Sequence, residues 1–202
     1  MAFTYFFRDL PILELVTKHM VPYVSGRSII KVWDAGCAMG PEPYSLAIIL
    51  AERMNKFAFK NLKIFASDLD NCDTFGDIIA KGVYPEEEVK RIPPDIRSKY
   101  FKPNGKVDHF EISQEIRDRV VFQKHDLLSL QPIGQYFSLI MCKNVLLHFQ
   151  QSERIEVIKM FHATLADGGY FASEQTQKMP EELSHLFEQV SGDGQLYKKV
   201  SA

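Results

Sequence analysis

The chain has 202 residues, with 24 basic side chains against 26 acidic ones and a formal net charge of -2. That length makes one domain with a substantial core, and the near-neutral balance carries no footprint for nucleic acid. The three cysteines include no CxxC pair, which argues against a disulfide framework and against a metal site. The N-terminal stretch MAFTYFFRDL has a charge at Arg8 and no long apolar run, so it reads as neither a signal peptide nor a membrane span. A soluble, cytoplasmic protein is expected.

Strand and helix patterns alternate along the chain. Between Phe7 and Val24, Leu10, Leu13, Leu15, Val16 and Met20 recur at helical spacing and predict an amphipathic helix. Ile29 to Trp33 is a short β-branched run, read as a strand. Pro43 to Met54 reads as a helix, with proline in the first turn, where a missing N–H costs nothing. Leu62 to Ala66 is a second strand, leading into SDLD. Asn71 to Lys81 is a helix with Gly82 as its stop.

Further strands are expected at Val120 to Gln123 and Phe137 to Cys142, followed by a helix at Gln151 to Ala166. The DGG at Asp167 to Gly169 should end that helix before a strand at Tyr170 to Ser173. A helix near Pro180 to Val190 and a strand at Leu196 to Val200 complete the chain. This β-α rhythm predicts an α/β fold with a doubly wound, mostly parallel sheet, Rossmann-like in character. Residues 82 to 119 break the rhythm: polar, interrupted by Pro85, Pro93, Pro94 and Pro103, they read as a small inserted subdomain. A short helix and a hairpin around Asn104-Gly105 are expected there. The domain assignment is one catalytic domain over residues 1 to 202.

In such sheets ligands bind beyond the carboxyl ends of the strands. The loop after the first strand, Asp34 to Glu42, has glycines at 36 and 40 that let backbone approach a ligand closely. Its spacing is neither G-x-G-x-x-G nor a P-loop, which disfavours a pyrophosphate. Glu42 at the helix mouth would repel a phosphate but receive an ammonium. Asp68, just past the second strand, stands where an acid often holds ribose hydroxyls. A glycine loop, an ammonium receiver and a ribose acid together fit S-adenosylmethionine. The plainer alternative makes Glu42 a helix-start charge and Asp68 a turn residue, and the pattern alone leaves both open.

Six segments in one order carry a resemblance: TYFFRD from Thr4, AGCAMGPEPYSLA from Ala35, FASDLD from Phe65, GVYP from Gly82, HDLL from His125 and LIMCKNVLLHF from Leu139. Together they resemble the CheR-type chemotaxis receptor methyltransferases, protein-glutamate O-methyltransferases that use S-adenosylmethionine and release S-adenosylhomocysteine. The similarity extends from Thr4 to about Val200. It implies cofactor contacts from Thr4, Arg8, Gly36, Glu42, Asp68, Asp126, Leu127, Cys142 and Lys143. It also implies a catalytic wall of Arg8, Lys143 and His148, with a methyl-accepting chemoreceptor-like protein as partner. No nucleic acid, membrane insertion or metal is implied.

Chemistry then assigns the roles. A glutamate side chain is already ionised near neutral pH and needs no general base. The task is to align carboxylate oxygen, methyl carbon and sulfur, so Arg8 and Lys143 are expected to position rather than exchange protons. Four departures from the family pattern bear on this. Pro41 replaces the loop's first glutamate, Lys143 an arginine, His148 a tyrosine, and EQTQ at Glu174 to Gln177 a G-H-S-E motif. They keep open a weakly catalytic cofactor-binding regulatory module, or a different carboxylate or small-molecule acceptor. The resemblance also predicts that the family's usual N-terminal helical domain is missing. Because the loop KPNGKVDHF is short, no tethering of a receptor tail peptide is expected.

Overall fold

A computed structural model describes residues 4–176 and 178–200. In chain order the elements are α1 (Leu10–Tyr23), β1 (Ile30–Ala35), α2 (Pro41–Arg53), α3 (Lys56–Lys60), β2 (Leu62–Asp68), α4 (Phe75–Lys81), β3 (Val83–Pro85), α5 (Glu86–Val89), α6 (Pro94–Tyr100), β4 (Phe101–Pro103), β5 (His109–Ile112), α7 (Gln114–Arg117), β6 (Val120–Lys124), β7 (Phe137–Cys142), α8 (Gln151–Thr164), β8 (Leu165–Ser173), β9 (Phe187–Gln189) and β10 (Leu196–Lys199). Short 3₁₀ turns occupy Leu127–Ser129, Leu146–His148 and Glu181–Leu186.

The main sheet has the order β6-β2-β1-β7-β8-β10-β9, with its first five strands parallel and β10 antiparallel to both neighbours. The order reverses between β1 and β7. The carboxyl ends of β1, β2 and β7 therefore open the crevice where such sheets bind ligands. β7 is a mostly apolar run buried from end to end, and β1 is buried at every position but Lys31, as parallel strands covered on both faces must be. One core lies under α1, α2 and the inserted subdomain; the other, around Trp33, Phe137, Phe161 and Phe171, lies under α8.

The insertion holds more structure than its proline content promised. β3, β5 and β4 form a separate antiparallel sheet, and residues between β4 and β5 make the expected hairpin around Asn104-Gly105. Helices α5, α6 and α7 complete it, with Glu86 to Glu88 forming the first turn of α5.

Two expectations are corrected. Asp167 to Gly169 does not separate a helix from a strand, because β8 already begins at Leu165, paired with Phe137. The DGG is absorbed as a bulge between that pair and Leu139↔Tyr170, with Gly168 at φ 69°. The helix expected near Pro180 to Val190 is instead a 3₁₀ turn followed by β9. Phe187 pairs with Lys199 and packs against Phe171 and His162, so strand pairing satisfies the apolar residues that suggested a helix. Smaller shifts occur elsewhere: α2 starts at Pro41 instead of Pro43, and α4 starts at Phe75 after a turn held by Asp70.

Candidate functional site

The loop leaving β1 is fastened to β2 by backbone. Gly36 N and Cys37 N both donate to Ser67 O, at 2.7 and 3.0 Å. Gly36 takes φ 97°, and a Cβ there would lie 2.1 Å from Val145 Cγ2, so only glycine fits the turn. Gly40 caps α2 at φ 102°, and Pro41 follows at the first helical position, where its fixed φ suits the helix. Glu42 thus sits in the first turn of α2, where the helix dipole favours an anion.

A second set of contacts hangs the N-terminal segment over this turn. Ser45 Oγ donates to Pro41 O and accepts from Phe7 N at 2.8 Å. Phe6 packs edge-on against Tyr84 and Phe101 of the inserted subdomain. Phe7 and Asp9 both take positive φ, which turns Arg8 inward between them. Arg8 Nη2 then donates to Asn144 Oδ1 at 2.9 Å.

Between these layers is a cavity of about 580 Å³, within the usual range for small-molecule sites. Thr4, Arg8, Gly36, Glu42, Asp68, Asp126, Leu127, Lys143 and His148 all line it. Nine of the ten residues singled out from sequence therefore meet in one place. The exception is Cys142, which is fully buried in the core beside Trp33 and Leu146 and does not line the cavity. Burial pushes its thiol pKa up, so it is an inert packing residue in chemical character.

Asp68 Oδ2 accepts from Ala38 N at 2.9 Å and Oδ1 from Asp70 N at 3.3 Å, which fixes the carboxylate at the end of β2. A carboxylate has about four lone-pair sites, so both oxygens keep capacity for a diol. Asp126 caps the 3₁₀ turn beside it by accepting from Leu128 N at 2.9 Å. Leu69 and Leu128 expose apolar surface at this end of the cavity, suited to the faces of an aromatic base.

At the other end, Lys143 is buried at 2% exposure with its ammonium among three acceptors. They are Glu42 Oε2 at 2.9 Å, Asp9 Oδ2 at 3.4 Å and Arg8 O at 3.4 Å. Burial opposes its charge, but Glu42, with Asp9 and Asp34 behind it, outweighs that and raises its pKa above the ordinary lysine range. Beneath this pair lies Asp34, fully buried at the end of β1. Neither of its oxygens has a conventional hydrogen-bond donor, and Glu42 Oε1 has none either.

Sequence reasoning overlooked several contributors. Asp34 was taken only as the first residue of the loop after the first strand, whereas β1 runs on through it to Ala35. Asn144 at φ 59° ties the lip of the site together, accepting from Arg8 and donating its N–H to Glu174 Oε2 at 3.1 Å. His125, which directly follows β6, was given no role in the site, yet it lines the cavity, with its ring edge-on to Trp33 and Nε2 2.7 Å from Gln131 O.

The glycine cradle, the acid at the mouth of α2 and the acid at the end of β2 fit S-adenosylmethionine end to end. Fold and site together define a Rossmann-like S-adenosylmethionine-dependent methyltransferase domain. The same fold occurs in a TehB-like SAM-dependent methyltransferase from Corynebacterium glutamicum, with a TM-score of 0.50 at 14% identity over 90% of this chain and 85% of that one.

Residues 2–195 match the family described as CheR methyltransferase, SAM binding domain. The chain belongs to that family, and S-adenosylmethionine is its cofactor. It is 32% identical to the chemotaxis protein methyltransferase of Escherichia coli K12 over 206 aligned residues, covering 98% of this chain. It is 30% identical to that of Borreliella burgdorferi over 83% of this chain. The chain spans 67% of the first relative's length and 61% of the second's. Among the described residues, no helix is long and apolar enough to cross a membrane, and no group of three His, Cys, Asp or Glu side chains is arranged to hold a metal.

Proposed function

We propose that the chain transfers a methyl group to glutamate carboxylates of a chemoreceptor-like protein, as the names of its relatives suggest. The observation that carries this reading is the convergence of Glu42, Asp68, Arg8 and His148 on one open cavity. When bound, S-adenosylmethionine supplies an electrophilic methyl on a sulfonium, an excellent leaving group.

The chain's own residues would divide the remaining work. Glu42 and the Gly36 turn receive the amino-acid end, Asp68 the ribose, and Leu69, Leu127 and Leu128 the base. Lys143 holds Glu42 in place from behind, since its three donors are already engaged. Orientation of the acceptor carboxylate then rests on Arg8, whose guanidinium is steadied by Asn144, and on the exposed His148. A guanidinium offers a carboxylate a planar two-pronged grip that fixes its direction of attack.

The test is incubation with methyl-labelled cofactor and receptor cytoplasmic fragments, with formation of base-labile methyl ester as the expected result. Cofactor binding without any label would sink the reading. A second reading, a cofactor-binding regulatory module, is favoured by the engagement of Lys143 with Glu42, which leaves the acceptor wall one cation fewer. Lys143→Arg combined with His148→Tyr separates the two. Label that appears only in the double variant favours the module; label in the native protein rejects it.

A further inference from the structure

The heart of the site has an unbalanced charge count. Asp34 and Glu42 are both buried carboxyls, and Lys143 is the buried ammonium that answers them. Two buried carboxylates against one ammonium leave a negative charge out of water, a cost the fold avoids by protonation or by another cation. Asp34 also has no N–H or O–H donor at either oxygen, and Glu42 Oε1 has none, so three acceptor atoms lack a hydrogen. One proton shared between the two carboxyls serves two of the three, the Asp34 oxygen that carries it and Glu42 Oε1, which accepts it.

Position decides which residue holds it. Glu42 lies in the first turn of α2 and already accepts from Lys143 Nζ at 2.9 Å, so it is the carboxyl with a cation of its own. Asp34 lies deeper, at the end of β1, with Glu42 as its hydrogen-bonding neighbour. Its other titratable neighbours are Asp68 from β2, Lys143 beyond β7, Cys37 in the loop and Cys142 on β7. Burial, then the charge of Glu42 and the hydrogen bond to it, push the Asp34 carboxyl well above the usual carboxylate range, against the pull of Lys143.

We propose that Asp34 donates a shared proton to Glu42 in the ligand-free protein, and that the ammonium of the cofactor displaces it. The Asp34 O–H bond breaks, the proton passes to buffer, and the ligand's ammonium becomes the second cation balancing the two carboxylates. Asp34 is then a positioning residue beneath the site, and cofactor affinity is coupled to pH. The inference rests on the reading that Glu42 receives the cofactor's amino-acid end.

Calorimetric titration with S-adenosylhomocysteine at pH 7, in phosphate and in Tris, counts the protons released from the dependence of the heat on buffer ionisation. About one proton per site is expected from the native protein, with affinity falling about tenfold per pH unit on acidification below pH 7. In Asp34→Asn, which keeps a donor facing Glu42, release should fall to near zero and affinity should be flat from pH 6 to 8. His125 and His148 also line the cavity, and a release that persists in Asp34→Asn would assign the proton to them and overturn the proposal. Binding by the native protein with no release overturns it as well. Absence of binding would instead sink the cofactor-site reading. If Asp34→Asn does not fold, native protein titrated with 5′-methylthioadenosine, which lacks the ammonium, decides: no release supports the proposal and equal release rejects it.

Discussion

The two ends of the cavity are built on different principles. At the end formed by β1 and α2, Glu42, Lys143 and Asp34 are buried, interlocked and charged, under a glycine turn too tight for any side chain. At the other side, Arg8 comes in on a segment hung from α2 and the inserted subdomain, while Leu147 and His148 stand exposed on a single 3₁₀ turn. A buried charge cluster tolerates little change, because removing one member strands the others out of water. An exposed wall can change its side chains at small cost in stability. Of the four departures that the resemblance implies, His148 lies on the exposed wall, whereas Lys143 is buried and keeps the sign of the charge its position requires.

Removing the charge at the rigid end should give the largest effect. Lys143→Met leaves Asp34 and Glu42 facing each other with no cation, and a loss of about 3–5 kcal/mol of stability is expected by analogy with broken buried ion pairs. Chemical denaturation checks this. A variant as stable as the native protein at pH 7 would remove the premise of a charge-locked floor.

Asp68→Ala should act on binding more than on folding. It removes the acceptor of Ala38 N and Asp70 N together with the proposed ribose contact, so S-adenosylhomocysteine affinity should fall by about 2–3 kcal/mol, or roughly 30- to 150-fold. Unaltered affinity in a fluorescence or calorimetric titration would return Asp68 to the role of a turn residue.

The buried acid also predicts a pH dependence of ligand-free stability. The folded-state pKa of Asp34 is raised, so the stability it confers is fully present below the ordinary aspartate value near pH 4 and is lost as pH rises toward the folded value. Asp34→Asn has no such loss. Relative to the native protein it should gain at most about 1.4 kcal/mol per pH unit between pH 5 and 7. Parallel thermal denaturation curves at the two pH values would contradict the shared proton.

Much of the fold was legible because parallel strands leave strong marks: β7 was expected with its observed bounds, and β1, β2 and β6 within two residues. What escaped notice depended on partners distant in sequence. Leu183, Leu186, Phe187 and Val190 have helical spacing, and only the pairing of Phe187 with Lys199 makes a strand of the second half. In the site, the residue set was legible but not its directions. Lys143 was expected to face the acceptor, and it faces Glu42 because the strand end aims it at the mouth of α2. Asp34 went unassigned because burial depth is invisible in a motif.

At the exposed wall the expected effects are smaller. His148→Phe removes an exposed polar group with little packing to lose, so stability should stay within about 0.5 kcal/mol of native. Cofactor affinity should hold within about twofold, while methyl transfer to receptor fragments drops about tenfold, the size of one lost positioning contact. If binding fell as far as transfer, the division between floor and wall would fail at this residue.

The smallest effect is expected farthest from the floor, at the inserted sheet. A receptor tail that docked by strand addition would need an open edge with a run of N–H and C=O groups. The two edges of this sheet are β3 and β4, each three residues long, and each ends in a proline, Pro85 and Pro103. Proline offers no N–H, and so short an edge leaves at most two residues able to donate. The hairpin beyond β4 adds a tight turn with Gly105 at φ 84°, which closes the edge instead of extending it. A receptor C-terminal pentapeptide should therefore show no micromolar binding in calorimetry. Micromolar affinity lost on changing a residue of β4 would mean that the subdomain recruits receptors despite its clipped edges, making it a recruitment surface for the cavity as well as the anchor of Phe6 and hence of Arg8.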